Sequence, residues 1–213
     1  MSVMQMARFS FIPAVVVGAG IAIANSGGPP LSKTGASAIA GKAAEGTCYN
    51  CHNDYALNSG ATLTFVGAPT YYVAGGTYNF SVQIASSQTT GFNNRVWSFE
   101  LTAVSMADGN GAGTFSNVSG QGTQIFNGNG GYATRQYIQA SSDRAGVASP
   151  SVWQVTWTAP ATAAGAISFF ASGIAGDGDG NNNGDYACSG SSAMVDVTAT
   201  ESSTWGRVKA LYR

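Results

Sequence analysis

The chain has 213 residues, a formal net charge of −1 and only 9% charged side chains, against about 25% in an average soluble domain. This length predicts one domain with at most a small appendage, and solubility carried by Gly, Ser, Thr and Asn is typical of a secreted all-β protein. The near-neutral charge and the lack of a basic stripe argue against nucleic-acid binding.

The first 24 residues have the pattern of an export signal. Arg8 supplies a positive charge, residues 9–24 form an apolar run, and Ala22-Ile23-Ala24 matches a signal-cleavage site. The run is shorter than the ~20 residues that a membrane span needs, so we expect cleavage after Ala24. An uncleaved N-terminal membrane anchor is the alternative. Both interpretations place the rest of the chain in the periplasm or at the cell surface.

Residues 25–60 are interpreted as a linker followed by a cofactor-attachment segment. Cys48, Cys51 and His52 form a C-x-x-C-H motif, and His52 is the only histidine of the chain. This spacing is the signature of covalently attached haem c, in which each thiol bonds one vinyl group and the histidine binds the iron from the proximal side. The alternatives are a Cys48–Cys51 disulfide or half of a zinc site, although zinc takes about four ligands and only Cys188 is left to add one.

Strand patterns begin at residue 61 and continue to residue 200. The clearest is 96–104, where period-two alternation puts Ser98 and Glu100 on one face and Trp97 and Phe99 on the other. Clusters of Gly, Asn and Ser separate the strands, and together they predict an antiparallel two-sheet β-sandwich over residues 61–200. The predicted strands are 61–66, 78–84, 96–104, 113–115, 124–126, 135–140, 152–158, 166–172 and 193–200.

An acidic, glycine-rich stretch precedes the last predicted strand. Asp177, Asp179, Asn181, Asn183 and Asp185 alternate with other residues there. Oxygen ligands at this spacing can wrap a Ca²⁺ ion, but the Glu that closes an EF-hand is missing and strands flank the stretch. A solvated, turn-rich loop is the alternative.

Two features near the C-terminus stay open from sequence alone. Cys188 is either a free thiol or a cysteine that pairs between chains, if the motif cysteines hold haem. Residues 201–213 form a short basic tail with amphipathic spacing, which predicts either a short helix docked on the domain or a membrane surface, or a frayed end.

Several segments together resemble a known family, the bacterial "choice-of-anchor V" domains, which are extracellular modules similar to the Reeler domain. The resemblance covers about residues 34–200, and apart from the cysteine motif it lies in the joint order of the segments. The segments are 34–36, 46–52, 57–60, 72–78, 99–103, 113–115, 157–161, 176–180 and 184–185.

The resemblance implies an immunoglobulin-like (Reeler-like) β-sandwich outside the cytoplasm, with a C-x-x-C-H segment at its N-terminal edge. It implies little about activity. The chain departs from the family in two ways. Only residues 201–213 follow the last predicted strand, in place of a C-terminal anchoring device. No histidine stands near Ala140, where the family pattern has one, so two-histidine ligation of an iron is out of reach within one chain.

A low-spin electron-transfer haem needs a ligand on the distal side of the iron. Met106 follows the strand pattern of 96–104, and Met194 lies at the start of the last predicted strand. Met, Lys, Tyr, the N-terminal amine or a partner's residue could each serve, and ordinary packing is the alternative role of both methionines. Without such a ligand the iron would be five-coordinate and open to a small gas or to peroxide.

These features predict an exported mono-haem c-type cytochrome module that transfers single electrons to a redox partner protein or a membrane electron-transfer complex. The alternative is a structural or adhesive extracytoplasmic subunit that scaffolds a membrane complex, electron-transferring or photosynthetic, with haem structural or absent. We expect no enzyme, because His52 belongs to the motif, no Ser-His-Asp set remains, and no pair of acids stands out for hydrolysis.

Overall fold

The computed structural model describes residues 27–88, 95–142, 144–145 and 149–196. The predicted export segment of residues 1–24 and the basic tail of residues 201–213 lie outside these ranges. Within them, no helix has the length and apolar character that a membrane crossing requires. The described residues include ten strands: β1 Ala61–Val66, β2 Tyr71–Tyr72, β3 Thr77–Ser86, β4 Val96–Ser105, β5 Thr114–Ser116, β6 Thr123–Asn127, β7 Gln136–Ala140, β8 Ser151–Thr158, β9 Ile167–Gly176 and β10 Tyr186–Asp196.

The strands form two packed sheets, which confirms the predicted all-β sandwich. One sheet has the order β1-β3-β8-β5 and the other has the order β2-β10-β9-β4-β7-β6. All pairs are antiparallel except β2 with β10, where Tyr71 and Tyr72 run parallel to Val195 and Asp196. The expectation of a purely antiparallel fold is corrected at this edge, because a two-residue strand carries no alternation that a sequence pattern could detect.

Aromatic side chains fill the space between the sheets. Phe99 of β4 packs on Trp153 of β8 with ring centroids 4.7 Å apart, and Trp157 meets Phe169 edge-on at 5.1 Å. All four are buried. Such rings remove large apolar areas from water and add favourable ring–ring geometry, so the aromatic residues of these strands form the core.

The last two strands are longer than predicted. β10 begins at Tyr186, not at residue 193, and pairs with β9 from Tyr186↔Ala175 to Met194↔Ile167. The first half of β10 is rich in small residues and shows no clear alternation. Pairing with the fully buried β9 determines its conformation, because neighbouring strands outweigh a weak local preference.

The segment before β1 differs from the predicted linker. Residues 27–52, which we call the strap, lie across the outer face of the six-stranded sheet. Ala36 and Ile39 of the strap pack against Val104 and Phe170 in a second apolar cluster. The strap thereby covers the face of β4 that carries Ser98, Glu100 and Thr102, and β4 is buried on both sides.

Candidate functional site

The C-x-x-C-H motif lies at the end of the strap in a single tight turn. Residues Cys48–Asn50 form a 3₁₀ helix. The amides of Cys51 and His52 both donate to the Cys48 carbonyl, at 3.2 and 3.0 Å. In this turn Cys51 is exposed and Cys48 is half-buried, and both residues line one cleft. All three cysteines of the chain are free.

Cys48 is tied to the middle of the sheet. Its amide donates to Ser172 Oγ of β9 at 3.1 Å, and that hydroxyl donates to the Cys188 carbonyl of β10 at 2.8 Å. Burial raises the pKa of the Cys48 thiol to about 12, so the group is a neutral thiol at pH 7. The motif is therefore fixed to the sandwich and does not hang from it on a loop.

Cys188 is a core residue, and the sheet separates it from the motif. The strand register aligns Cys188 with Gly173, and Gly173 with Phe99, a residue of the core between the sheets. Its Sγ lies 3.6 Å from the Gly173 carbonyl oxygen, and burial raises the pKa of the thiol. Cys48, in contrast, contacts Ser172 on the outer face. Cys188 is therefore a free, buried thiol in this structure.

His52 is held by a carboxylate of the acidic stretch. Its Nδ1 lies 2.6 Å from Asp185 Oδ2, with the Asp185 side chain only 3% exposed. The other carboxylate oxygen accepts the Asp177 amide at 3.0 Å. A carboxylate at this place accepts a hydrogen bond from Nδ1–H and fixes the orientation of the ring. The lone pair of Nε2 is then free to bind a metal.

Residues 177–185, which we call the acidic loop, hold the motif at two further points. Asn182 Nδ2 donates to the Cys51 carbonyl at 2.6 Å, and the Gly184 amide donates to Asp54 Oδ2 at 2.8 Å. Beside the loop, Tyr186 packs on Tyr55 with ring centroids 4.5 Å apart. The loop that the sequence marks as a calcium candidate thus clamps the C-x-x-C-H segment.

The five predicted calcium ligands serve the loop's own turns to a large extent. Asp177 Oδ1 accepts the Asp179 amide at 3.0 Å, and Asp179 Oδ1 accepts the Asn181 amide at 2.7 Å. In the part of the chain that the structure describes, no three Asp, Glu, His or Cys side chains converge as a metal site would require. The structure therefore does not bring Asp177, Asp179 and Asp185 around one point, and calcium binding stays a prediction.

A small cleft opens beside the motif. Its cavity volume is about 80 Å³, below the roughly 300–1,000 Å³ of most ligand sites, so a cofactor attached to the motif would extend beyond it. Ser98 Oγ on its wall is buried and makes no hydrogen bond within the described residues, so a bound group could satisfy it. The lining combines the three motif residues with an apolar rim. It consists of Gly28, Pro29, Pro30, Lys33, Thr47, Cys48, Cys51, His52, Ser98 and Ile174.

Neither methionine proposed as a distal ligand lies near His52. Met106 follows the last residue of β4. Val96, the first residue of β4, lines a pocket together with His52. Ten strand residues separate the two ends by about 30 Å. Met194 packs in the core between the sheets. The structure thus brings Cys48, Cys51 and His52 together but leaves Met106 and Met194 apart from them.

Two charged residues at this site were missed from sequence. Glu100 lies buried beneath the strap, where its Oε2 accepts the Lys33 amide at 2.6 Å. Burial raises the pKa of the Glu100 carboxyl to about 8, and its negative charge also raises the pKa of Cys48. A glutamate in the middle of an apolar strand is the sequence signal that could have pointed to Glu100. Nothing in the sequence connects Lys33 with it.

No protein-family model matches the chain, and no curated protein is similar to it. The resemblance to choice-of-anchor V domains therefore stays a prediction. Among solved structures, the chain is similar to the Reelin-N domain of F-spondin, with 18% identity over 70% of this chain and 94% of that one and a TM-score of 0.44. It is also similar to the human F-spondin Reeler domain, with 18% identity over 66% of this chain and 90% of that one and a TM-score of 0.41. A third similar structure is a cohesin module of a Clostridium perfringens ATCC13124 family 33 glycoside hydrolase, with 12% identity over 64% of this chain and 95% of that one and a TM-score of 0.41. Likeness at this level concerns the β-sandwich and does not extend to function.

Proposed function

We propose that the protein is an exported mono-haem c-type cytochrome module that transfers single electrons outside the cytoplasm. Cys48 and Cys51 would form the two thioether bonds, and His52 Nε2 would bind the iron. A c-type haem supplies one-electron chemistry when bound, as its iron alternates between ferric and ferrous states. The chain's own residues hold the motif, orient the imidazole and limit the access of water.

The observation that carries the proposal is the contact of 2.6 Å between His52 Nδ1 and the buried Asp185. A disulfide-bonded C-x-x-C turn has no need of an oriented imidazole, whereas a metal-ligating histidine almost always donates its other ring N–H to such a partner. The only histidine of the chain is held in this way, directly after two free thiols and beside a cleft with an orphaned hydroxyl.

The surroundings of the motif support an electron carrier over a catalytic haem. Hydrogen bonds with Ser172, Asn182 and Asp185 fix the segment at Cys48, Cys51 and His52. A ligand set held by its neighbours keeps its geometry when the charge of the iron changes. The apolar rim of the cleft lowers the local polarity, which is one of the means by which a protein tunes the reduction potential of a haem. The proposed partner is a redox protein or a membrane electron-transfer complex.

The test is an oxidised-minus-reduced absorption spectrum of protein purified from a host that attaches c-type haem. We expect a Soret band and a sharp α-band that persist after acid–acetone extraction, because the haem is covalently attached. A Cys48→Ser/Cys51→Ser variant should lose the extraction-resistant haem, and Cys188→Ser, whose side chain faces the core, should keep it. Wild-type protein without a Soret band, with Cys48 and Cys51 disulfide-linked by mass spectrometry, would contradict the proposal.

The second candidate is a structural or adhesive subunit outside the cytoplasm. It is favoured by an exposed apolar edge at β2, where Tyr71 (60% exposed) pairs with Val195 (48% exposed) and Val73 follows. In that case the haem-free double variant should still bind the membrane fraction as the wild type does. A Tyr71→Ser/Val73→Ser variant should lose that binding while keeping its spectrum. An electron carrier alone predicts binding that is unaffected by these edge substitutions.

A further inference from the structure

The proposed function, on which this inference rests, leaves one axial position of the iron without an assigned donor. His52 is the only histidine of the chain. Met194 packs in the core, and Met106 follows the end of β4 that lies away from His52. Within the part of the chain that the structure describes, the side-chain donor types left for a sixth ligand are lysine and tyrosine, and the N-terminal amine lies outside that part.

Lys33 lies in the cleft that also contains Cys48, Cys51 and His52. Its Nζ lies close to Gly46, two residues before Cys48, at 3.2 Å from the position that a Cβ on Gly46 would occupy. The backbone of Lys33 is held in place by its amide, which donates to the buried Glu100 carboxylate at 2.6 Å. The root of the side chain is thus fixed, and its end lies beside the attachment motif.

The amine of Lys33 makes no hydrogen bond or salt bridge within the described residues, although its charge lowers the pKa of the nearby Glu100 carboxyl. The hydrogen bonds and salt bridges there include one from Lys42 Nζ to the Gly131 carbonyl, at 3.3 Å, but none from Lys33 Nζ. A half-buried amine on a flexible four-carbon stem can swing toward a neighbouring centre without breaking a contact. A neutral amine is a nitrogen donor, the class of ligand that low-spin haem iron accepts.

Tyr49 is the competing donor, since it stands between the two motif cysteines. Its side chain is exposed and it does not contribute to the cleft wall. Tyr55 packs against Tyr186 and is likewise absent from the wall. Lys33 is therefore the side chain of the described structure that combines a donor atom, a place in the cleft and freedom to move.

We propose that Lys33 supplies the sixth ligand of the haem iron, while His52 supplies the proximal one. The chain would then hold a histidine–lysine haem, with the lysine brought by the strap and the histidine oriented by the acidic loop. The strap would close the iron to small gases and to peroxide and confine the module to electron transfer.

The test compares the spin state of the ferric haem in wild-type protein and in two Lys33 variants matured in a host that attaches haem c. Absorption, electron paramagnetic resonance and near-infrared magnetic circular dichroism should show a low-spin, nitrogen-ligated iron in the wild type. Lys33→Arg keeps a long, flexible side chain but cannot ligate, because the guanidinium does not lose its proton. Both Lys33→Arg and Lys33→Ala should become high-spin, and they should bind added imidazole about tenfold more tightly or better, because the competing ligand is gone.

Matched variants separate ligation from general damage. Lys42→Arg, on a half-buried strap lysine outside the cleft, and Tyr49→Phe should both keep the wild-type spectrum. Lys33→Met should return a low-spin iron with a sulfur-to-iron charge-transfer band, which a misfolded protein would not show. A low-spin spectrum retained in Lys33→Arg would overturn the inference, as would a wild-type haem that is already high-spin. Those outcomes leave the proposed function standing, whereas a wild-type protein with no Soret band would remove both.

Discussion

At the scale of single residues, Glu100 is the most unusual group of the protein. It is fully buried, one carboxylate oxygen accepts the Lys33 amide, and the other has no hydrogen-bond partner within the described residues. Burying an unpaired carboxylate costs several kcal/mol, so the group binds a proton instead. This explains why burial raises the pKa of Glu100 to about 8. At pH 7 the carboxyl is mainly neutral, and the strap covers no net charge there.

Glu100 should make the stability of the protein depend on pH. Its folded pKa of about 8 exceeds the value of ~4.3 in an unfolded chain. Between these values only the folded state holds the proton, so stability is full below pH ~4.3 and is lost as the pH rises toward 8, by about 1.4 kcal/mol per pH unit. Urea unfolding at pH 5 and pH 8 should show a loss roughly 4 kcal/mol smaller in Glu100→Gln than in the wild type. Equal losses would mean that Glu100 titrates near its ordinary pKa.

Asp185 should set the basicity of the iron-binding imidazole. Asp185→Asn keeps the hydrogen bond to the Asp177 amide but removes the charge beside His52 Nδ1. A neutral partner makes the imidazole a weaker donor and favours the ferrous iron. We expect the reduction potential to rise by about 60–120 mV, which corresponds to a tenfold to hundredfold change in ligand preference.

A potentiometric titration followed at the α-band measures that shift. Asp179→Asn is the matched control, since Asp179 lies in the same acidic loop with an exposed side chain and no contact with His52. If both variants shift the potential equally, the effect is the general loss of one negative charge. If neither does, the Asp185 contact has no influence on the iron.

At the scale of elements, the strap is held to the sheet by a buried polar network around Glu45. Arg135 Nη1 contacts Glu45 Oε1 at 2.5 Å, and the Tyr137 hydroxyl donates to the same oxygen at 2.6 Å. Thr34 Oγ1 donates to the other oxygen at 2.6 Å. The guanidinium also donates twice to the Gly109 carbonyl. Because each polar group of this network has a partner, the burial of the ion pair is compensated.

Arg135→Met should detach the strap before it unfolds the sandwich. Removing one partner of a buried ion pair leaves the other charge uncompensated, which costs about 3–5 kcal/mol. Urea unfolding should show that loss, and hydrogen exchange should accelerate first at the Gly35 and Glu45 amides, which join the two arms of the strap. Lys42→Met, on a half-buried strap lysine whose amine makes only an exposed hydrogen bond to the Gly131 carbonyl among the described residues, should change the stability by less than about 0.5 kcal/mol. Uniform acceleration in all strands would contradict a strap that opens on its own.

At the scale of the whole molecule, Gly173 of β9 leaves no room for a side chain between the two sheets. A Cβ there would lie 2.5 Å from the Ser98 carbonyl oxygen of β4 and would also meet Ile84 Cδ1 of the opposite sheet. Both neighbours are buried. No side chain larger than hydrogen fits unless the sheets move apart, and close-packed interiors resist such a movement.

Gly173→Ala should therefore destabilise the sandwich by about 1–3 kcal/mol through overpacking. Thermal or urea unfolding measures the change. Gly131→Ala is the matched control, because a Cβ there would have no heavy atom within 4 Å and the residue does not need a positive φ. A loss in Gly131→Ala as large as that in Gly173→Ala would show that the cost comes from the backbone and not from the space between the sheets.

The sequence alone determined the class of the fold and the identity of the motif. Alternation of apolar and polar residues acts over two to nine positions, so it located β1, β4 and β8 to within about one residue. The C-x-x-C-H spacing is equally local, and the structure keeps Cys48, Cys51 and His52 in one turn. Both features depend only on residues that are close together along the chain, so they can be recognised in the sequence without the structure.

Only the tertiary structure decided what surrounds the motif. His52 and Asp185 stand 133 positions apart, and their contact exists because β10 returns beside β9 and the strap crosses the outer face. Because of the same docking, the segment predicted as a linker packs on the sheet as the strap, and Lys33 lies in the cleft. Met106 lies beyond the far end of β4. Contacts of this kind arise from the mutual burial of whole elements, and no short pattern in the chain encodes which distant side chains will meet.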